Sequence, residues 1–387
     1  MTLKEHRKHA DLARPSVGNF GRNEWAIIGA PCTAIKLLAG QVISTLSSKY
    51  KCAYADTTHN DDMTALPGRL ADGGVIEYTN EVNYQQFNYN SAVTPFKQRE
   101  LFAEADIILV NGNHQQAKAQ VVIIDLNKKT SLQKRVEQLT DVQLFLLADN
   151  CDDIFDFVKE AVPNWQRVPL YRLSEIDKII AFFNDKLAET KPVLNGLVLA
   201  GGKSQRMGFD KGAYNWYGKE QRYYMADMLK PLCDEVFISR SSEKQDVSLS
   251  YPTITDTFIN LGPYGAILSA FRQQPDKAWL VVACDLPLLD SETLGYLVEN
   301  RDVSAIATAF KSEENEFPEP LITIWEPKSY PVLLSFMAQG YSCPRKVLIN
   351  TEPKLLQTPV PGALTNVNTP DELGRIKRVL HQKIATT

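Results

Sequence analysis

The feature that most constrains this chain is a short apolar run, Gly196-Leu197-Val198-Leu199-Ala200, that passes without a break into Gly201-Gly202. So short a run, apolar on both faces, reads as a strand buried inside a parallel sheet with a tight turn at its carboxyl end. The segment LAGGKSQRMGFDKG, residues 199–212, then carries Lys203, Arg206 and Lys211. Glycines let the backbone approach a ligand closely and turn successive N–H groups into a concavity that favours anions. Three cations within nine residues supply the countercharge that a triphosphate needs during displacement at phosphorus. A glycine pair or a basic surface turn is common by itself. Strand, Gly-Gly, Arg-Met-Gly and Asp-Lys in that order are poorly explained by chance.

The same alternation of short apolar runs and helical stretches fills the chain. Its 387 residues exceed what one hydrophobic core usually serves, so two domains are expected. In the first half the runs at 25–28, 52–55, 107–110, 121–124 and 144–148 read as buried strands. The first of them ends at Gly29-Ala30-Pro31 and leads into a helical stretch through Ile35, Leu38 and Val42. Residues 77–98, rich in Asn, Tyr and Gln, predict an antiparallel edge element or a long loop. An amphipathic helix is expected from Ser174, its N-cap, with Ile176, Ile179, Ile180 and Phe183 on one face. Polar residues with a proline over 186–195 place the boundary there, between a domain of residues 1–190 and one of residues 194–387. In the second half, runs at 196–200, 235–239, 279–283, 305–309 and 321–325 alternate with helical stretches at 223–232, 264–272 and 291–299. The predicted class is α/β, two domains, each with a mostly parallel sheet and crossover helices.

Composition excludes several function classes. With 44% hydrophobic and 23% charged residues the chain is not a disordered or fibrous one. Forty-two Lys+Arg against 46 Asp+Glu leave a formal charge of -4, so no basic field recommends nucleic acid. No apolar stretch approaches the ~20 residues that span a bilayer, and the charged N-terminus lacks the apolar centre of a secretory signal. The six cysteines form no CxxC pair and the five histidines no ligand set with them. Zinc and disulfides are therefore not expected, and the cysteines read as idle thiols in a reducing cytoplasm. His59 beside Asp61 and Asp62 reads as an ordinary polar loop.

Residues 199–212 resemble the signature, written LAGGxSxRMGxDK, of the nucleotidyltransferases that build sugar nucleotides and cofactor dinucleotides. Among these the likeness is greatest to the molybdenum cofactor guanylyltransferases. Thr255-Asp256 followed by Gly262-Pro263-Tyr264-Gly265 resembles that family's Asp…GPxxG segment. Ala283-Cys284-Asp285-Leu286-Pro287 resembles its CDxP metal motif, and Asn366-Val367-Asn368-Thr369-Pro370 its NVNTP segment. The resemblance spans roughly residues 194–380 and implies a Rossmann-like domain. The activity it implies is Mg²⁺-dependent transfer of GMP from GTP to the phosphate of molybdopterin, with release of pyrophosphate. Leu199, Ala200, Gly201 and Gly202 would hold base and phosphates, and Lys203 and Arg206 would contact phosphate. Lys211 would stabilise charge at the α-phosphorus and Asp256 would bind the nucleotide. Asp285, just past an apolar strand, would meet Mg²⁺ at the carboxyl edge of the sheet. Asn366 and Asn368 would face the pterin. The incoming phosphate is itself the nucleophile, so no covalent enzyme intermediate is expected.

Gly201-Gly202 favours guanine, since cytidylyl relatives more often read LAAG. A cytidylyl or sugar-phosphate nucleotidyltransferase, or a non-catalytic cofactor carrier, are the alternatives. GTP and molybdopterin are the implied substrates, and molybdoenzymes or their chaperones the implied recipients of the product; neither nucleic acid nor membrane is expected. The first half resembles the GTP-binding accessory protein of the same pathway, through residues 105–112 and 168–183. That family's P-loop is broken here: Ala34 stands for the second glycine, Ile35 for the lysine and Lys36 for the Ser or Thr. Loss of nucleotide hydrolysis with retention of the fold is expected, leaving roles in dimerisation, docking or pterin binding.

Overall fold

The computed structural model describes residues 11–57, 66–200, 211–241, 250–367 and 369–385. The chain forms two compact units, Val17–Thr190 (the N-terminal unit) and Lys191–Thr387 with Met1–Ser16 (the C-terminal unit).

The N-terminal unit opens with β1 (Glu24–Ile28), α1 (Cys32–Leu46) and β2 (Cys52–Ala55). A hairpin of β3 (Ile76–Asn80) and β4 (Gln85–Tyr89) follows, then α2 (Pro95–Leu101). The rest is β5 (Ile107–Asn111), β6 (Ala119–Ile124), α3 (Lys129–Gln133) and β7 (Val142–Leu147). It closes with α4 (Asp156–Ala161), β8 (Leu170–Arg172) and α5 (Ile176–Glu189). Six strands form one sheet in the order β2-β5-β1-β6-β7-β8, every pairing parallel. Its central strands are buried on both faces because helices cover both, which is why they read as continuous apolar runs. Trp25 and Ile27 pack under α1 and α5 with Ile35, Leu38, Val42, Ile179 and Phe183. Ile28 faces the other way, against Val122, Phe145 and Leu147. Each such side chain stabilises by about 1.5–3 kcal/mol on burial.

Residues 77–98 hold the separate β3–β4 hairpin, antiparallel and partly closed by the Tyr78–Phe87 ring contact at 4.8 Å, and the start of α2. Ser174 is not the N-cap of α5. Glu175 occupies that position, and its carboxylate turns back to accept the Arg172 N–H at 2.7 Å.

The C-terminal unit runs β9 (Leu194–Leu199), α6 (Gln221–Leu229), β10 (Val236–Arg240), β11 (Thr253–Thr255) and α7 (Pro263–Gln273). Then come β12 (Ala278–Ala283), α8 (Ser291–Glu299), β13 (Ala307–Lys311) and β14 (Pro318–Trp325). The last elements are α9 (Ser329–Ala338), α10 (Pro344–Ile349), β15 (Lys354–Leu356) and α11 (Pro370–Ala385). The sheet order is β11-β10-β9-β12-β14-β13-β15. Only β14 runs against its neighbours, so the sheet is mostly parallel. Alternation along the strands sends Leu197, Leu199, Trp279 and Val281 to one core and Leu194, Val198, Leu280 and Val282 to the other. A buried ion pair, Arg301 Nε to Glu326 Oε1 at 2.6 Å, ties the segment after α8 to the end of β14. Its own loop-like residues, Arg301 and Glu326, were not conspicuous in the sequence. Among the described residues no helix is long and apolar enough to cross a membrane.

Candidate active site

The parallel half of the C-terminal sheet brings three of the chain's exits to one edge. Register pairs Leu199 with Ser239 and with Ala283, and Arg240 with Thr255. The chain therefore leaves β9 at Ala200, β11 at Asp256 and β12 at Cys284-Asp285 on the same side, the carboxyl edge where ligands bind in open α/β sheets. Asp256 and Asp285 stand at the ends of strands separated by β10 and β9. Three interstrand spacings amount to about 14 Å, too far for two Asp side chains to share one ion.

Asp256 is held by local packing. Its N–H donates to the Arg240 carbonyl at 2.8 Å and its Oδ1 accepts from the Ser239 hydroxyl at 3.0 Å. Burial pushes its carboxyl above the ordinary value, and the Ser239 hydroxyl partly offsets this. The glycines that follow have structural work. Gly262 sits at φ 56 and ψ -136, a conformation open to glycine, just ahead of Pro263 at the start of α7. A Cβ on Gly265 would lie 2.2 Å from the Phe258 carbonyl oxygen, so α7 can pack against the Asp256 loop only through a glycine.

Asp285 emerges from β12, whose six residues AWLVVA are all buried. Cys284 beside it is buried among Leu286 and Leu289, as a packed thiol. The Asp285 carbonyl accepts the Val367 N–H at 2.9 Å, which brings the Asn366-Val367 segment to the turn after β12. Below this contact Val367, Ile376 and Leu380 pack with Trp216, Tyr217, Leu288 and Leu373. Thr369 and Glu372 cap α11 reciprocally: the Glu372 N–H donates to the Thr369 hydroxyl at 3.3 Å and the Thr369 N–H to the Glu372 carboxylate at 3.1 Å. Asn366 is exposed on this segment. Lys211 opens a single 3-10 turn, Lys211–Ala213, whose Gly212 carbonyl accepts from Arg222 Nε of α6 at 3.1 Å. Leu199 is buried at the strand end and Ala200 half-buried beyond it. Gly201, Gly202, Lys203, Arg206 and Asn368 lie outside the described residues.

Two aromatic residues escaped the sequence reading. Tyr217 stacks on Tyr224 at 4.2 Å, and its hydroxyl donates to the Pro287 carbonyl at 2.5 Å. Burial, with Tyr224 and Asp290 adding, pushes the Tyr217 hydroxyl up to about 12, so it keeps the proton this bond requires. Trp216 packs beside it against Leu288. The run YNWYG at 214–218, aromatic yet between a basic loop and a helix, was the available signal.

The N-terminal sheet treats its corresponding edge differently. Only Gly29, Ala30 and Pro31 separate β1 from α1. The Ala34 and Ile35 N–H groups donate to the Pro31 carbonyl at 2.9 and 3.1 Å, and the Lys36 ammonium lies 3.4 Å from Asp56. Groups that a phosphate cradle would use are thus engaged within the protein.

A mostly parallel sheet whose carboxyl edge carries the end of β9, two separated carboxylates and the Asn366 segment is an arrangement that suits a nucleotidyltransferase. Residues 196–354 match the model of the MobA-like NTP transferase domain. A protein named "Probable molybdenum cofactor guanylyltransferase" from Carboxydothermus hydrogenoformans is 30% identical over 196 residues, 48% of this chain and 96% of the relative. A "Molybdenum cofactor biosynthesis bifunctional protein" from Synechocystis is 32% identical over 201 residues, 51% of this chain; the match spans 58% of that relative's length. Among solved structures, molybdopterin-guanine dinucleotide biosynthesis protein A from Archaeoglobus fulgidus is 22% identical with a TM-score of 0.43, over 49% of this chain and 99% of its own. This chain belongs to the family of the molybdenum cofactor guanylyltransferases.

Proposed function

We propose that the chain transfers GMP from GTP to the terminal phosphate of molybdopterin, releasing pyrophosphate and forming the guanine dinucleotide cofactor. The observation that carries this reading is the hydrogen bond from Val367 to the Asp285 carbonyl. It joins the segment resembling the family's pterin side to the motif resembling its metal side, as a two-substrate reaction requires. In the reaction an oxygen of the acceptor phosphate bonds to the α-phosphorus and the bond to the departing pyrophosphate breaks. The chain's task is positioning and charge neutralisation.

A magnesium ion fits the donor set. An ion that arrives with a triphosphate needs as little as one carboxylate from the protein, and Asp285, just past β12, offers one. Asp285 would hold it, and the chemistry it supplies when bound is neutralisation of phosphate charge. Lys211, Lys203 and Arg206 would contact the phosphates, and the backbone of Leu199, Ala200, Gly201 and Gly202 would receive base and phosphates. Asp256, about 14 Å along the edge, would accept hydrogen bonds from the nucleoside end. Asn366 and Asn368 would orient the pterin.

Pyrophosphate release with Mg²⁺, measured from GTP and separately from CTP with molybdopterin as acceptor, tests the proposal. Release from GTP alone is expected. Release from CTP alone would keep the mechanism and reverse the choice of base, and silence with both would remove the acceptor assignment.

A further inference from the structure

The carboxyl edge of the N-terminal sheet carries a second constellation. Strands β1, β5 and β2 are neighbours, and the segments leaving them bear Cys32, His114 and Asp56. Cys32 Sγ lies 3.5 Å from His114 Nε2, and His114 Nδ1 lies 2.8 Å from Asp56 Oδ1. The His114 and Asp56 side chains are 14% and 10% exposed, while Cys32 is half-buried and so reachable. Asp56 also accepts the Tyr54 hydroxyl at 3.0 Å and the Thr57 N–H at 2.7 Å. Burial acts to raise the Asp56 carboxyl, but hydrogen bonds led by that from His114 outweigh it and hold the group well below the usual carboxylate range.

The arrangement is linear: thiol, imidazole, carboxylate. A metal centre needs donors that converge, and among the described residues no such group exists. A linear chain is what a nucleophile, its base and the group orienting that base require. Cys32 is moreover the first residue of the fifteen-residue helix α1, presented by a strand, a three-residue turn and a helix. The turn is forced tight, since Gly29 has φ 96 and a Cβ there would meet the Ile123 carbonyl oxygen at 2.2 Å. Asn113 Nδ2, which also donates to the Ala30 carbonyl at 2.8 Å, lies 3.6 Å from the sulfur. Asn111, at the end of β5, is fully buried beside Asp56, where with His114 it helps to hold the carboxyl down, and its Oδ1 accepts the Asn113 N–H at 3.1 Å.

We propose that Cys32 is a catalytic nucleophile toward a carboxylic ester or thioester, with His114 as its general base and Asp56 as the residue that positions the imidazole. The thiol proton passes to His114 Nε2 as sulfur bonds to the carbonyl carbon. The bond to the alcohol or thiol leaving group breaks, and that group takes the proton from His114. Water then attacks the acyl thioester, giving its proton to His114. Carboxylic acid leaves and the thiol is restored. Cys32 is therefore not the idle thiol that the scattered cysteines suggested.

The test treats the full chain with p-nitrophenyl acetate, following p-nitrophenolate release and mapping the acetylated peptides by mass spectrometry. The exposed Cys343, at the N-cap of α10, is the internal reference for a thiol at a helix terminus. Acetylation of Cys32 at least about tenfold faster than of Cys343 is expected, with about a hundredfold loss in His114→Ala. Asp56→Asn should lower the rate at saturating ester while leaving the half-saturating concentration unchanged, and Asp56→Glu should restore part of it. If His114→Ala loses its fold, His114→Gln takes its place in the comparison. Acetylation of Cys32 no faster than of Cys343, or an unchanged rate in the folded histidine variant, overturns the proposal.

Discussion

Both units lead a buried strand of a parallel sheet toward a helix at the carboxyl edge, and they differ in how much chain they spend there. In the C-terminal unit eleven residues, Ala200 to Asp210, separate the end of β9 from the 3-10 turn at Lys211, and 201–210 of them lie outside the described residues, whereas the N-terminal unit uses only Gly29, Ala30 and Pro31. A long glycine-bearing connection has the residues from which a triphosphate cradle can be built. A three-residue elbow winds the same stretch into helix, consumes its N–H groups and lifts one side chain to the edge. Connection length, more than the sheet, decides what chemistry each edge can host.

That comparison can be broken most sharply at Asp285. Asp285→Asn should lower pyrophosphate release with Mg²⁺ by about 10²–10³-fold while leaving the thermal midpoint unchanged. Full turnover in this variant would remove the metal role from the C-terminal edge. Next in size is the elbow. Gly29→Ala forces φ 96 on a residue with a Cβ and a clash with Ile123, and should cost about 1–3 kcal/mol in urea unfolding. Gly40→Ala, in the interior of α1 with nothing within 4 Å of the new Cβ, should instead stabilise by about 0.5–1 kcal/mol. Equal effects at the two glycines would show that the turn is not tight.

Asp256→Asn should raise the half-saturating GTP concentration several-fold, a smaller effect than at Asp285 because no reacting atom is involved. Its stability effect has a defined sign. Burial raises the Asp256 carboxyl above its unfolded value, so the wild-type group favours folding most below the ordinary carboxylate pKa of about 4 and loses that contribution as pH rises through the folded value. The unfolding free energy of Asp256→Asn relative to wild type should therefore climb between acid and neutral pH, and a fall would contradict the burial argument. The smallest effect is expected at Lys36. Lys36→Ala should leave GTP hydrolysis by the full chain unchanged, whereas its abolition would restore a working phosphate cradle to the N-terminal edge.

Legibility followed locality. Strands β1, β5, β9 and β12 were readable because helices on both faces make most of their residues apolar. The three-residue strands β8, β11 and β15 were not, since so short a segment has no period to detect. At the start of α11 a threonine stands three residues before a glutamate, and the two make reciprocal hydrogen bonds. In the site, each motif was legible as a string. That Trp216 and Tyr217 meet Leu288 and Val367 was not, because packing joins residues from three separate segments.

What the sequence by itself determined is the class of fold, the order of the nucleotidyltransferase motifs and the loss of the P-loop pattern at residues 29–36, all properties of contiguous residues. Only the tertiary structure decided that Asp256 and Asp285 sit three strands apart along one edge, and that Cys32, His114 and Asp56 form a line. Those facts depend on strand order, which is settled by burying apolar faces across the whole sheet. His114 is 82 residues from Cys32 and 58 from Asp56 along the chain, and no local pattern encodes that β1, β5 and β2 become neighbours.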